Sequence, residues 1–212
     1  MTINSIYRPV TERKLANQVF NAAVTPRVDR WLVRESIVAT SISEITDCFE
    51  YFFSSLYRRE FVKTLRLNEC SERELLPLVR CYLLGWFADN VSPEVKSKLP
   101  GAVSGHGFID FVIDNVAVEF AVRKPTAARS NVSATVNSTE VKKLMKHGGK
   151  ALLVLFDFSI TPYSEAQIEA FRDWPSLARG NHKKSAFNVA YFYVEKRRPL
   201  IFGKITKNIR IN

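Results

Sequence analysis

The sequence predicts an α/β protein: a helical N-terminal elaboration over residues 1–70, then an α/β domain over 71–212, the two expected to fold as one compact unit. Three observations carry this reading. The first ninety residues place apolar side chains at helical spacing. Residues 107–123 read as a β-branched hairpin. Ala151-Leu152-Leu153-Val154-Leu155-Phe156 is a continuous apolar run, as in a strand covered by helices on both faces.

Taken in order, Thr11 is placed to cap a helix carrying Leu15, Ala16, Val19, Phe20 and Ala23 on one face. Pro26 suits the first turn of a second helix, through Val28, Trp31 and Leu32. Ser41-Ile42-Ser43-Glu44 is a capping-box pattern. The aromatic stripe that follows it, Ile45, Phe49, Phe52, Phe53 and Leu56, reads as core or as a dimer contact. Ser71-Glu72-Arg73-Glu74 opens another helix, through Leu75, Leu76, Val79, Tyr82, Leu83 and Trp86. Pro93, Pro100, Gly101, Gly105 and Gly107 predict a loop with little regular structure. The hairpin turns at Asp114-Asn115, a pair able to adopt positive φ. Residues 125–136 are small and polar and read as a mobile connection. Asn137 with Glu140 is expected to cap a short helix, with Val141, Leu144 and Met145 facing inward and Lys142, Lys143 and Lys146 outward. Gly148-Gly149 ends it. A helix within residues 162–174, a strand over 187–194, a turn at 196–199 and an alternating edge strand over 205–211 complete the reading.

The hairpin holds the chemistry. Asp110 interrupts one strand and Glu119 the other where apolar residues belong. A buried unpaired carboxylate costs several kcal/mol, comparable with the stability of a whole domain. Two on adjacent strands fit a shared cation, and oxygen ligands suit Mg²⁺ or Mn²⁺. The alternative is a pair of structural acids matched to Arg123 or Lys124.

The chain has 212 residues, 46% of them hydrophobic, and a formal net charge of +10. Residues 123–150 and 179–212 together hold sixteen cations against two acids, so they carry +14 and leave the rest at −4. Such segregation points to a polyanionic partner, or to a solvated basic face. Three cysteines without CxxC spacing and three isolated histidines argue against a disulfide framework or a zinc site. No apolar run approaches the ~20 residues of a membrane span, and Met1–Arg13 lacks a signal-peptide block, so an intracellular location is expected.

The order of elements and the carboxylates resemble the PD-(D/E)XK nuclease superfamily, most nearly the archaeal Holliday-junction resolvases; a member from an archaeal virus, acting in the host cytoplasm, is compatible. The likeness spans roughly residues 71–158. Ser71–Leu76 resembles the opening helix, Ser104–Asp110 the Gly/Ser-rich approach to the motif aspartate, Val116–Val122 the strand bearing (D/E)XK, and Glu140–Phe156 the closing helix, glycine pair and strand. The resemblance implies a restriction-endonuclease-like core (helix, three strands, helix, strand), here with the N-terminal helices and a C-terminal β extension. It implies a Mg²⁺- or Mn²⁺-dependent endodeoxyribonuclease acting on DNA as a homodimer, with Asp110 and Glu119 as metal ligands and Glu72 and Arg123 joining them as catalytic residues. Lys124, Arg129, Lys142, Lys143, Lys146, Lys183 and Lys184 would grip nucleic acid. The pattern departs at Ala121, where the motif lysine belongs, and at Ile109, where a proline often stands. In this superfamily the lysine can come from elsewhere; Arg123 lies one step along the same strand face, and Lys142, Lys143 and Lys146 lie on the next helix. A catalytically degenerate DNA-binding protein is the alternative, and an assembly protein whose basic pole meets nucleic acid incidentally is a third reading.

Overall fold

The computed structural model describes residues 39–98, 106–125, 134–147, 149–173 and 185–211. The helices expected over Thr11–Ala23 and from Pro26 lie outside the described residues, as do Arg129, Lys183 and Lys184. Thr40–Asn212 forms one unit by its internal contacts.

Helix α1 (Ile42–Ser55) starts at Ser41, whose Oγ accepts the Glu44 amide at 3.0 Å. After the short α2 (Arg59–Thr64), α3 (Glu72–Phe87) opens with both arms of the Ser71–Glu74 capping box formed. Strands β1 (Val91–Lys98), β2 (His106–Ile113) and β3 (Val116–Arg123) follow as an antiparallel meander. Helix α4 (Ala134–Lys146) leads to β4 (Lys150–Asp157), parallel to β3. The short α5 (Glu165–Glu169) leads to β5 (Phe187–Arg197), parallel to β4, and β6 (Leu200–Ile209) returns antiparallel. The sheet order is β1-β2-β3-β4-β5-β6.

Alternation divides the sheet into two buried faces. Val116, Val118 and Phe120 of β3, with Leu152, Val154 and Phe156 of β4, pack under α1 and α3. Ala117 and Ala121, with Leu153, Leu155 and Tyr191, pack against Val141, Leu144 and Met145 of α4. The β4 run is thus covered on both faces, as its unbroken apolar sequence predicts.

Several expectations need correction. Residues 91–98 form a strand rather than a loop: β1 is a sheet edge, where a proline such as Pro93 can sit without breaking an inner ladder. Helix α4 begins at Ala134, so Asn137 lies within it and does not cap it. Phe52 and Phe53 are buried in the chain's own core against Phe156 and are not a surface for a second copy. Part of the basic C-terminal segment is also spent internally. Lys204 of β6 pairs with Asp47 and Glu50 of α1, while Lys207 pairs with Glu165 and Glu169 of α5. No helix among the described residues is long and apolar enough to cross a membrane.

Candidate active site

Strands β2 and β3 part company early. Their ladder covers only Phe111–Ile113 against Val116–Val118. On the other side β1 follows β2 to its start, missing only the Glu94–Asp110 pair, where Glu94 adopts φ 52°. The facing of β2 slips by one residue at this point. Ile109 and Val112 both pack toward α4, while Phe111 and Ile113 pack toward α1 and α3. Asp110 is left aimed into the opening gap, and its Oδ2 accepts the Phe120 amide of β3 at 2.8 Å. A side chain thereby replaces a ladder bond that the diverging strand cannot make.

Glu119 enters the gap from β3, on the face toward α4, and is 1% exposed. Lys143 of α4 reaches it there. Its Nζ lies 2.7 Å from Glu119 Oε1 and donates to the Phe108 carbonyl of β2 at 2.6 Å. The contact with Glu119 is an ion pair by distance without hydrogen-bond alignment, so Oε1 is buried with no hydrogen-bond partner. Lys143 therefore faces inward, contrary to the outward face expected of it: the (i, i+3) spacing from Glu140 turns both residues toward the gap. Glu140 Oε2 is likewise buried and unpartnered. The sequence predicts Glu140 as a cap; its (i, i+3) spacing puts it on one helix face with Lys143 but does not say that this face meets the gap.

Glu72, in the first turn of α3, completes the group from the other face. Among the described residues, Lys143 is the cation that acts on Glu72, Asp110 and Glu119, and Glu140 adds its negative charge to Glu72 and Glu119. Burial, then Asp110, push Glu119 up to about 9 against the pull of Lys143, with Glu140 adding to the rise. Burial, Asp110 and Glu140 push Glu72 up to about 7, against Lys143 and the Val122 amide. Burial raises Asp110 too, opposed by the Phe120 amide, Lys143 and the Glu119 side chain. Glu72 is exposed over the residue as a whole while its carboxyl is tucked against the Val122 amide; Asp110 is half-buried and Glu119 and Lys143 are buried, so solvent enters from the Glu72 side.

Arg123 stands apart from this group. Its Nη1 is 2.8 Å from Asp157 Oδ2 and donates to the Thr161 carbonyl at 2.7 Å, and its guanidinium stacks on the Tyr163 ring at 4.1 Å. Asp157 also accepts from Tyr191 Oη at 2.5 Å and from the Ser159 amide at 2.8 Å. That network ties the ends of β3 and β4 to the middle of β5. Of the residues assigned to nucleic acid, Lys124 is exposed just beyond β3, while Lys142 and Lys146 are half-buried on α4.

Among the described residues no three His, Cys, Asp or Glu side chains are grouped so as to hold a metal ion as they stand. The donors nevertheless fit a hard divalent cation. They are all oxygen, a buried Glu119 oxygen lacks a hydrogen bond, and the group is short of positive charge. The chain matches no protein-family model, no curated protein and no solved structure.

Proposed function

We propose that the chain is a metal-dependent nuclease of the PD-(D/E)XK kind, with a restriction-endonuclease-like core, hydrolysing DNA phosphodiester bonds at branched or recombination structures. The observation that carries this reading is Lys143, whose ammonium stands beside Glu119 in the gap between β2 and β3. It offers the positive charge that Ala121 lacks. The order helix, three strands, helix, strand over residues 72–157 supports the same reading.

Asp110 and Glu119 would hold Mg²⁺ or Mn²⁺, with Glu72 adding a carboxylate on the open side. The cation, when bound, polarises a phosphoryl oxygen and lowers the pKa of water for in-line attack. Lys143, whose ammonium stands beside Glu119, would offset negative charge that builds on the phosphate. The Phe108 carbonyl keeps the ammonium in place. Arg123 is a positioning residue in this scheme, holding the end of β3 through Asp157. Two symmetric cuts across a junction require two sites, hence a homodimer.

One observation favours the degenerate DNA-binding alternative: Lys143 Nζ stands 2.7 Å from Glu119 Oε1, the oxygen a cation would need. Cleavage of labelled four-way junction, duplex and single-stranded DNA with Mg²⁺, Mn²⁺ or EDTA decides between them. Metal-dependent cutting, lost in Glu119→Ala and Lys143→Ala, is the expected result. Salt-sensitive binding without cutting by the wild type overturns the enzyme in favour of the binding protein.

A further inference from the structure

Among the described residues, His106–Asp110 of β2 pairs only with β1. The two strands form a ribbon that peels away from the sheet at the site. Lys96 and Phe108 stand directly opposite each other on it. Two residues nearer the sheet, past the Val95–Ile109 pair, lies the break in the ladder at Glu94 and Asp110, where the Glu94 charge acts on Asp110. Two residues along a strand is about 7 Å. Phe108 is 47% exposed; of the other described phenylalanines Phe61 is 39% exposed, Phe202 is half-buried and the rest are buried. Alternation turns Phe108 away from Ile109, which is buried against the α4 layer, and so toward the face from which solvent enters. A large apolar ring left in water beside a buried polar site calls for a ligand with a flat apolar surface of its own.

We propose that the Lys96–Phe108 ribbon is a platform for an unpaired nucleic-acid strand, and that the nuclease reading above thereby acquires a substrate class: DNA with an unstacked base next to the scissile phosphate. The inference rests on that reading only for the cut itself. In a duplex both faces of each base are covered by neighbours, so a protein ring can stack only on a base that has left the helix. Lys96 supplies the phosphate charge across the ribbon. The Phe108 main chain already holds Lys143, so a base on its ring lies within one residue of the ammonium.

The backbone contact makes the test clean, because Phe108→Ala keeps the carbonyl that Lys143 uses. Fluorescence anisotropy in EDTA would follow binding of a labelled oligo-dT and a blunt duplex to wild type, Phe108→Ala, Phe108→Tyr and Lys96→Ala. Expected are tighter binding of oligo-dT than of duplex by the wild type and a loss of about tenfold for oligo-dT in Phe108→Ala. Duplex binding should hold in that variant, Phe108→Tyr should bind as wild type, and Lys96→Ala should show a shallower salt dependence on both DNAs. Unchanged oligo-dT binding in Phe108→Ala, or equal losses on both DNAs, overturns the platform even where the wild type cuts. Phe108-dependent binding in a protein that never cuts upholds the platform and removes the nuclease.

Discussion

Ala121 and Lys143 are two sides of one packing decision. Ala121 is 6% exposed, in the cluster where Val141, Leu144 and Met145 of α4 meet the sheet. Its methyl group lets the helix come close enough for Lys143 to reach Glu119. A lysine at 121 would compete for the same volume, so Ala121→Lys alone should lower stability, by about 1–3 kcal/mol in a urea titration. Lys143→Ala should cut metal-dependent cleavage by about 10²–10³-fold. The sign of the pH dependence follows from the same crowding. An ordinary glutamate titrates near 4.5, whereas burial and Asp110 lift Glu119 to about 9, and burial with Asp110 lifts Glu72 to about 7. The fold therefore binds these protons more tightly than the unfolded chain does. Their contribution to metal-free stability is largest below about 4.5 and drains away as pH rises through 7 toward 9. Melting temperatures in EDTA should fall across that window, and Glu119→Gln, which mimics the protonated form, should flatten the fall and raise the melting temperature at pH 8. Saturating Mg²⁺ should restore stability, by about 2.7 kcal/mol at a hundredfold excess over its dissociation constant. A melting temperature that climbs from pH 5 to 9 in EDTA would sink the account.

Among the elements, the ends of β3 and β4 are fastened to the middle of β5 by Arg123, Asp157, Tyr191 and Tyr163. Asp157 is 1% exposed and its carboxylate is met by Arg123, Tyr191 and the Ser159 amide, while burial and Asp157 together hold the Tyr191 phenol far above its usual range. Asp157→Ala should cost about 3–5 kcal/mol, since it strands a partly buried guanidinium, and Tyr191→Phe about 1–2 kcal/mol. Both are measurable by chemical unfolding. The network also explains what could be read in advance. The capping boxes, the hairpin turn at Asp114, with φ 51°, and the apolar run of β4 are local signals, and each element stands where its residues predict. The carboxylates of Asp110 and Glu119 were legible because a charge on a buried strand contradicts its surroundings. Arg123 was misleading because alternation gives a face but not a partner, and Asp157 lies 34 residues away. Lys143 and Glu140 could not be singled out, since the extent and rotation of α4 depend on its packing over Ala117 and Ala121. Strand β1 was hidden behind Pro93, because edge position is a property of the finished sheet.

For the whole molecule, the hub of the core is Phe156, whose ring meets Phe49, Phe52, Phe53, Phe120, Phe158 and Phe192. Phe156→Ala should cost about 3–5 kcal/mol in the same unfolding assay. The net charge of +10 overstates the free field, because Arg123, Lys143, Lys204 and Lys207 are matched by acids within the fold. Lys204 and Lys207 pin β6 to a helix on each face, α1 and α5.

Strand order in the sheet equals strand order in the chain, from β1 to β6. Each strand leaving the ribosome finds its neighbour already made, and no later segment must be inserted between two earlier ones. Pairings between consecutive strands keep loop-closure costs low, which favours rapid and vectorial folding during synthesis. The growing sheet always exposes one unfinished edge, and β6, with a lysine matched to each helical layer, is the strand that finishes it.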